Sequence, residues 1–290
     1  MSTRDFNEHS ITEAVVERFG DTPDPRLRQI LQALVRHAHE FVREVELTQD
    51  EWLVAIEYLT RVGQICSDKR QEFILLSDTL GISMLVDAIN HRMPAGATET
   101  TVLGPFYVQN PPIRPADADI SGGENGTPLY VTAIIDGADG APLAGAVVDV
   151  WQSDDDGYYD VQKPGDDPNL RARFIADDEG KISFWTIVPK YYPIPADGPV
   201  GDMLAATKRH PYRPAHIHFM IDHEGYEKLV THLFIEGDPY LDSDAVFGVK
   251  QSLIVSLAEG QGTPPAAASG KSHAGTWMRL DHTFGLKPTA

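Results

Sequence analysis

Four side chains stand out as candidates for metal chemistry: two histidines and two tyrosines. The histidines lie in the run Arg213-Pro214-Ala215-His216-Ile217-His218. Side chains alternate along a strand, so His216 and His218 would face the same way with Cα atoms about 7 Å apart, a reach that suits one cation between two imidazoles. Taken alone, such a pair is more often two structural histidines than a ligand pair. Pro214 restricts the backbone just before the pair and helps to pre-organise it. The tyrosines sit where apolar strands give out. Asp156-Gly157-Tyr158-Tyr159 follows residues 147–151, and Lys190-Tyr191-Tyr192-Pro193 follows residues 182–187; such strand-end loops are where scaffolds usually mount their sites. A tyrosine becomes an anionic ligand only by losing a proton whose ordinary pKa is near 10, which needs a strongly charged cation nearby. Iron(III) supplies that charge better than iron(II) or zinc(II), so a site with two tyrosinates selects Fe(III). Without a cation, each tyrosine is a packing residue whose hydroxyl finds one partner.

Two kinds of segment would have to position these residues. Up to about residue 100 the chain reads as helices. Ser10 with Glu13, Asp24 before Pro25, and Thr48 with Glu51 look like helix starts, offering an oxygen to orphan amides, a first-turn proline or a returning glutamate. Leu27, Ile30, Leu31, Leu34 and Val35 recur at helical spacing, as do Trp52, Ile56, Leu59 and Val62, and then Phe73, Leu76 and Leu80. Pro94 and Gly96 end this part. From about residue 103, segments rich in Val, Ile, Phe and Tyr follow at 129–135, 146–152, 181–187, 215–221, 228–235 and 251–257. Turn clusters such as Asp177-Asp178-Glu179-Gly180 separate them. A Gly/Pro/Ala-rich stretch at 260–269 precedes a last strand near 277–282. Strands so spaced, without helices between them, predict an antiparallel β-sandwich. The expected fold class is α+β, mainly β, with a helical N-terminal domain over residues 1–102 and a sandwich domain over residues 103–290.

Composition narrows the partners. The net charge of −19 argues against nucleic acid or an anionic membrane surface. The longest apolar runs, such as Phe73-Ile74-Leu75-Leu76, are too short to cross a bilayer, so no membrane insertion is expected. Asp5, Glu8, His9 and Glu13 interrupt any apolar leader, and the single cysteine, Cys66, suits a reducing compartment. A cytoplasmic location is expected.

Several motifs occur together: Leu103-Gly104-Pro105-Phe106-Tyr107, Asp149-Val150-Trp151-Gln152 with Gly157-Tyr158-Tyr159, Tyr192 with Pro195 and Gly198-Pro199, the histidine run, and Gly237-Asp238-Pro239-Tyr240. Taken together they resemble the intradiol ring-cleavage dioxygenases over most of the chain, and within that family the members that act on hydroxyquinol. The resemblance implies that Tyr159 matches a tyrosinate that stays on the metal, and Tyr192 one that leaves when substrate arrives. It implies that His216 and His218 are the imidazole ligands, and that Arg213 stabilises negative charge on the activated ring. The activity implied is cleavage of an aromatic diol or triol by O2 between two hydroxyl-bearing carbons, within the degradation of aromatic compounds.

The walls implied for the substrate are Leu75, Asp78, Val102, Leu103 and Gly104, continued by Pro105, Phe106, Ile194, Pro195 and Val246. Where catechol-cleaving relatives carry a glutamine this chain has His232, expected beside the substrate as a hydrogen-bond partner and not as a ligand. Asp78 lies in an otherwise apolar helical segment, 73–80, where an acid is costly unless something binds it. The third hydroxyl of hydroxyquinol (1,2,4-trihydroxybenzene) could donate to it; exposure to solvent is the alternative. Hydroxyquinol is the expected substrate, with 3-hydroxy-cis,cis-muconate or its tautomer maleylacetate as product. The resemblance also implies a homodimer through the N-terminal helices, with a lipid tail sometimes bound between them. A catechol or chlorocatechol 1,2-dioxygenase would share every catalytic residue. A metal-free, transthyretin-like module that binds a small aromatic would leave the four candidate ligands unexplained. A zinc hydrolase using His216, His218 and Glu236 would leave both tyrosines idle.

Overall fold

The computed structural model describes residues 4–67, 70–165, 168–270, 273 and 275–289. By packing, the chain divides into two compact units, Met1–Arg61 and Val62–Ala290. The composition break near residue 103 marks the change from helix to strand, and the division by packing falls earlier.

The first unit holds α1 (Ile11–Arg18), α2 (Pro25–Glu44) and most of α3 (Gln49–Gln64). Two of the expected starts form as caps. Asp24 Oδ1 accepts the amides of Arg26 and Leu27 at 2.8 and 3.2 Å, with Pro25 as first helical residue. Thr48 and Glu51 form a capping box, Thr48 N–H donating to Glu51 Oε2 and Glu51 N–H to Thr48 Oγ1. Ser10 differs: it precedes α1, but its hydroxyl accepts from the Asn7 amide instead of capping the helix. Glu13 is in the first turn all the same. The apolar stripe of α2 forms as expected, yet Leu27, Ile30 and Leu34 remain exposed, Leu34 by 61%. No described residue of α2 is buried. Among the described residues, no helix is long and apolar enough to cross a membrane.

The second unit begins with α4 (Glu72–Thr79) and α5 (Ile82–Asn90) and continues as strands. These are β1 (Ala118–Asp119), β2 (Pro128–Gly137), β3 (Val147–Gln152), β4 (Arg171–Ile175), β5 (Lys181–Ile187) and β6 (Tyr192–Pro193). After α6 (Pro199–Ala206) come β7 (Tyr212–Arg213), β8 (His216–Asp222), β9 (Leu229–Ile235), β10 (Ile254–Val255), β11 (Ala258–Glu259) and β12 (Met278–Leu286). One five-stranded sheet has the order β10-β9-β8-β3-β4, the other β1-β5-β2-β12-β11, and β6 pairs with β7 alone. Both five-stranded sheets feed one core. Val131, Phe184 and Phe284 come from the second, Val150, Phe174 and Phe219 from the first. Phe174 stacks on Phe184 and Phe219 meets Phe284.

The sheets are mixed, not purely antiparallel as expected. β12 runs parallel to β2 over a nine-residue ladder, and the β1–β5 and β10–β9 pairs are also parallel. Spacing suggested hairpins, but strands this distant in sequence reach each other by long connections, which leave their direction free. Two elements lay outside the sequence expectation. β4 reads Arg-Ala-Arg-Phe-Ile, whose arginines hide its alternation, and α6 opens at Gly198-Pro199, a dipeptide that by itself marks a turn. The strand expected over 251–257 is a 3-10 turn, Gln251–Leu253, followed by only two strand residues.

Candidate active site

The first sheet sets the histidines. Ile217, Phe219 and Ile221 of β8 fill the core, so alternation turns His216 and His218 to the opposite face. The register aligns Arg171 with Trp151, Trp151 with His218, and His218 with His232, giving one row across β4, β3, β8 and β9. The Trp151 ring stacks on His218 at 4.5 Å and 13°, and His232 meets His218 edge-on at 4.1 Å. His216 Nδ1–H donates to the Pro214 carbonyl at 2.6 Å, because a carbonyl can only accept. That fixes the tautomer and leaves the Nε2 lone pair of His216 facing His218 Nε2 at 3.1 Å. Burial holds the pKa of His216, His218 and His232 well below the ordinary imidazole value, so all three are neutral; the Arg213 charge acts in the same direction.

Tyr159 is delivered by a heavily tied loop. Asp154 Oδ1 accepts the amides of Asp156 and Tyr158, and the Tyr159 amide donates to Gln162 Oε1 at 2.9 Å. The next residue, Asp160, is paired by the Arg171 guanidinium at 2.8 and 2.5 Å. Arg171 also donates to the Phe106 carbonyl at 2.8 Å, and the Phe106 ring stacks on Tyr159 at 4.5 Å. The phenol is 0% exposed, with its oxygen 2.8 Å from His218 Nε2. Burial first, and the neighbouring Tyr192 second, push its pKa well above 10, while Arg213 and Arg171 pull it down. Tyr192 is held more simply. It pairs with Arg213 in the two-residue β6–β7 ladder, edge-on to Tyr159 at 5.2 Å and 5.5 Å from the His216 ring.

Arg213 is 2% exposed. Asp244 Oδ1 accepts its Nε–H at 3.1 Å, and Nη1 lies 3.5 Å from His216 Nε2. Burial opposes its charge, but Asp244 and the phenols hold its pKa above the ordinary guanidinium value. His232 Nδ1 lies 3.5 Å from Arg213 Nη2. His216, His218 and His232 are the group of metal-ligating side chains gathered among the described residues, each with one donor atom within 4.8 Å of the others. His218 Nδ1 and His232 Nε2 are buried without a hydrogen-bond partner among the described residues. Neutral imidazoles with a lone pair directed inward, beside a phenol that only a strong positive field would ionise, fit a hard, highly charged cation.

Of the expected wall residues, Leu75, Ile194 and Val246 are buried in one apolar cluster with Val200, Leu204 and Ala245, and Val102 packs against it. Asp78 is buried too, not solvent-exposed; burial raises its pKa, with Ser83 and then Arg213 acting to lower it. Gly104 has φ +77°, and a Cβ there would stand 3.2 Å from His218 Cε1. Phe106 covers Tyr159 as described, and Pro195 is half-buried. Leu103 and Pro105 face solvent. Sequence reasoning assigned no role to Trp151, Arg171, Asp154 or Asp244. Trp151 stood inside a motif, whereas Asp244 sits in Asp242-Ser243-Asp244, which reads as an ordinary turn.

Two family models match the chain, one described as the catechol dioxygenase N terminus over residues 24–98 and one described as dioxygenase over residues 102–274. A 6-chlorohydroxyquinol 1,2-dioxygenase of Cupriavidus pinatubonensis is 51% identical over 287 residues, 99% of each chain. A hydroxyquinol 1,2-dioxygenase of a Rhizobium species is 50% identical, over 97% of this chain and 96% of that one. The crystal structure of a hydroxyquinol 1,2-dioxygenase from Pseudomonas putida superimposes with a TM-score of 0.90 at 48% identity, covering 97% of this chain and 99% of that one. The chain belongs to the intradiol ring-cleavage dioxygenase family.

Proposed function

We propose that this dioxygenase cleaves hydroxyquinol with O2 between its adjacent hydroxyl-bearing carbons, yielding 3-hydroxy-cis,cis-muconate and, by tautomerisation, maleylacetate. The family uses non-haem iron, and here Tyr159, Tyr192, His216 and His218 would hold it as Fe(III). The carrying observation is the convergence of the Tyr159 oxygen and the His216 and His218 Nε2 atoms at 2.8 and 3.1 Å in a fully buried setting. Bound there, iron(III) would draw electron density from a coordinated diol and make its ring reactive towards O2.

The remaining roles belong to the chain. Tyr159 stays in place because its loop is tied on every side. Tyr192, held by a two-residue ladder, swings away and takes a substrate proton on its phenol oxygen. Arg213 offers a permanent cation beside the ring as charge builds on it. His232 acts as a neutral hydrogen-bonding neighbour of substrate. Leu75, Val102, Ile194 and Val246 keep water from the reacting ring, together with Phe106, Gly104 and Pro195, while Leu103 and Pro105 form the rim. Asp78 accepts a hydrogen bond from the third hydroxyl, which would relieve the cost of its burial.

The name of the Cupriavidus relative favours a second substrate, the 6-chloro derivative, for the same pocket. A sandwich with mixed sheets describes the residue 103–290 domain best, since two sheets share one core. The exposed stripe of α2 supports a homodimer through the residue 1–102 domain, and the family resemblance adds a lipid tail between its helices. A cytoplasmic site of aromatic degradation suits the chemistry.

Steady-state rates on hydroxyquinol, 6-chlorohydroxyquinol and catechol test the substrate. Hydroxyquinol should exceed catechol in kcat/KM, and Asp78→Ala should narrow the ratio by about 10–100-fold, the cost of an unpaired polar group. Equal rates on both in the unmodified protein would sink the hydroxyquinol reading. Protein that stays colourless after iron loading would remove the two-tyrosinate site.

A further inference from the structure

Arg213 has two buried carboxylates in electrostatic reach and is hydrogen-bonded to one of them. Asp244 Oδ1 accepts Nε–H at 3.1 Å and Oδ2 accepts Nη2–H at 3.3 Å. The other carboxylate, Asp78, feels both Arg213 and Asp244 but has the Ser83 hydroxyl as its side-chain hydrogen-bond partner. The loop bearing Asp244 is built to hold this arrangement. Its carboxylate also accepts the amides of Val246 at 3.3 Å and Gly248 at 2.9 Å. Between them Phe247 takes φ +59°, a conformation that bulky residues seldom adopt unless their surroundings impose it. At Gly248 a Cβ would stand only 2.9 Å from Arg213 Nη2, so the guanidinium packs against the bare backbone. Arg209 then fastens the loop to the end of α4, donating to the Thr79 carbonyl at 2.7 Å and the Ala245 carbonyl at 3.1 Å. One residue before Thr79 is Asp78.

We propose that Asp244 is a positioning residue for substrate specificity: by holding the Arg213 guanidinium it keeps Asp78 out of an ion pair and open to the third ring hydroxyl. This rests on the reading of Asp78 as the acceptor of that hydroxyl. A guanidinium freed from Asp244 would have Asp78, a buried carboxylate with no ion-pair partner among the described residues, within its electrostatic reach, and an ion pair there would occupy the oxygens that substrate needs. Asp244 touches neither substrate nor metal in this scheme and acts only through Arg213.

Asp244→Asn keeps the shape and an acceptor for one of the two loop amides, but it removes the charge and turns the other oxygen into a donor. The experiment is kcat/KM on hydroxyquinol and on catechol for the iron-loaded protein, Asp244→Asn, Asp78→Asn and the double variant. Asp244→Asn should cut the hydroxyquinol-to-catechol ratio by about tenfold, Asp78→Asn by as much or more, and the double variant no further than Asp78→Asn alone. General structural damage lowers both substrates together and leaves the ratio intact. Gly248→Ala, which crowds Arg213 Nη2 without altering charge, should lower the ratio in the same direction and serves where the Asn variant fails to fold. A ratio unchanged in Asp244→Asn and in Gly248→Ala, while Asp78→Asn lowers it, overturns the role of Asp244 and leaves Asp78 as the hydroxyl acceptor. Losses that add in the double variant overturn it as well. A ratio untouched by Asp78→Asn removes the acceptor, and the positioning role with it.

Discussion

The two five-stranded sheets of the second unit share one core, but the faces turned away from it are filled differently. On the second sheet that face carries Tyr130 and Trp185, packed with Trp277 and Ala267. Tyr130 donates to Asp117 at 2.6 Å and Trp185 Nε1 to the Pro265 carbonyl at 3.2 Å, while His273 Nε2, on a ring 4.1 Å from Trp185, is buried without a hydrogen-bond partner among the described residues. On the first sheet the row Arg171, Trp151, His218 and His232 lies beneath Tyr159 and Arg213. There Arg171 Nη1, Trp151 Nε1, His218 Nδ1 and His232 Nε2 are buried without partners among the described residues. Leaving buried polar atoms unpaired costs about 1–3 kcal/mol each. A scaffold that leaves one such atom on one face and gathers a row of four on the other marks the second kind of face as the one kept for chemistry.

Replacing one tyrosine on each face tests that contrast most severely. Tyr159→Phe should lower turnover by at least about 10³-fold, with loss of bound iron and of visible colour, because it removes an anchoring oxygen. Tyr130→Phe removes a phenol whose pKa burial and Asp117 push up to about 12. It should leave turnover within about twofold and cost about 1 kcal/mol of stability, the usual value of one hydrogen bond. Iron content, absorption spectra and rates of both variants decide it. A Tyr159→Phe protein that stays coloured and active would break the contrast.

Ion pairs sharpen it next. The Arg171–Asp160 pair has side chains 2% and 9% exposed, whereas Arg279–Asp281 on the second sheet is 55% and 51% exposed. Arg171→Met leaves Asp160 buried without its counter-charge and should cost about 3–5 kcal/mol in urea unfolding. Arg279→Met should cost less than about 0.5 kcal/mol, since solvent screens that pair. Similar midpoints for the two variants would mean that the tie behind Tyr159 adds nothing special to the fold.

What the sequence disclosed follows the same division. The histidine pair was legible because alternation on β8 is a local property, and Tyr159 and Tyr192 because strand ends are. Asp24 and Thr48 announced their helices for the same reason, whereas Ser10 did not, its hydroxyl being taken by Asn7. Direction of pairing was not legible: β12 lies parallel to β2 across some 140 residues of chain, and nothing within either segment encodes that choice. β4 was hidden because Arg171 and Arg173 occupy one of its faces to meet Asp160 and Asp149. Those partners are known only after folding. Asp244 was illegible on the same ground, since its importance lies in Arg213, thirty-one residues earlier.

The smallest effect concerns an imidazole away from the site. His282 of β12 lies between Leu280 and Phe284 on the strand, and its ring meets Phe284 at 4.6 Å. Burial lowers its pKa from 6.5 to about 4. Between those values the unfolded chain binds a proton that the native chain refuses. Its contribution is therefore full above pH 6.5 and is lost as pH falls towards 4, a change of about 2 kcal/mol after allowing for its partial exposure. Carboxylates elsewhere titrate in the same range, so the informative quantity is a difference. Urea unfolding of the native sequence and of His282→Gln at pH 7 and pH 4.5 should show the native sequence losing about 2 kcal/mol more than the variant, with colour and turnover at pH 7 unchanged by the substitution. Equal losses would mean that His282 is hydrated in the native state. A drop in turnover at pH 7 would mean that chemistry depends on more than one face of one sheet.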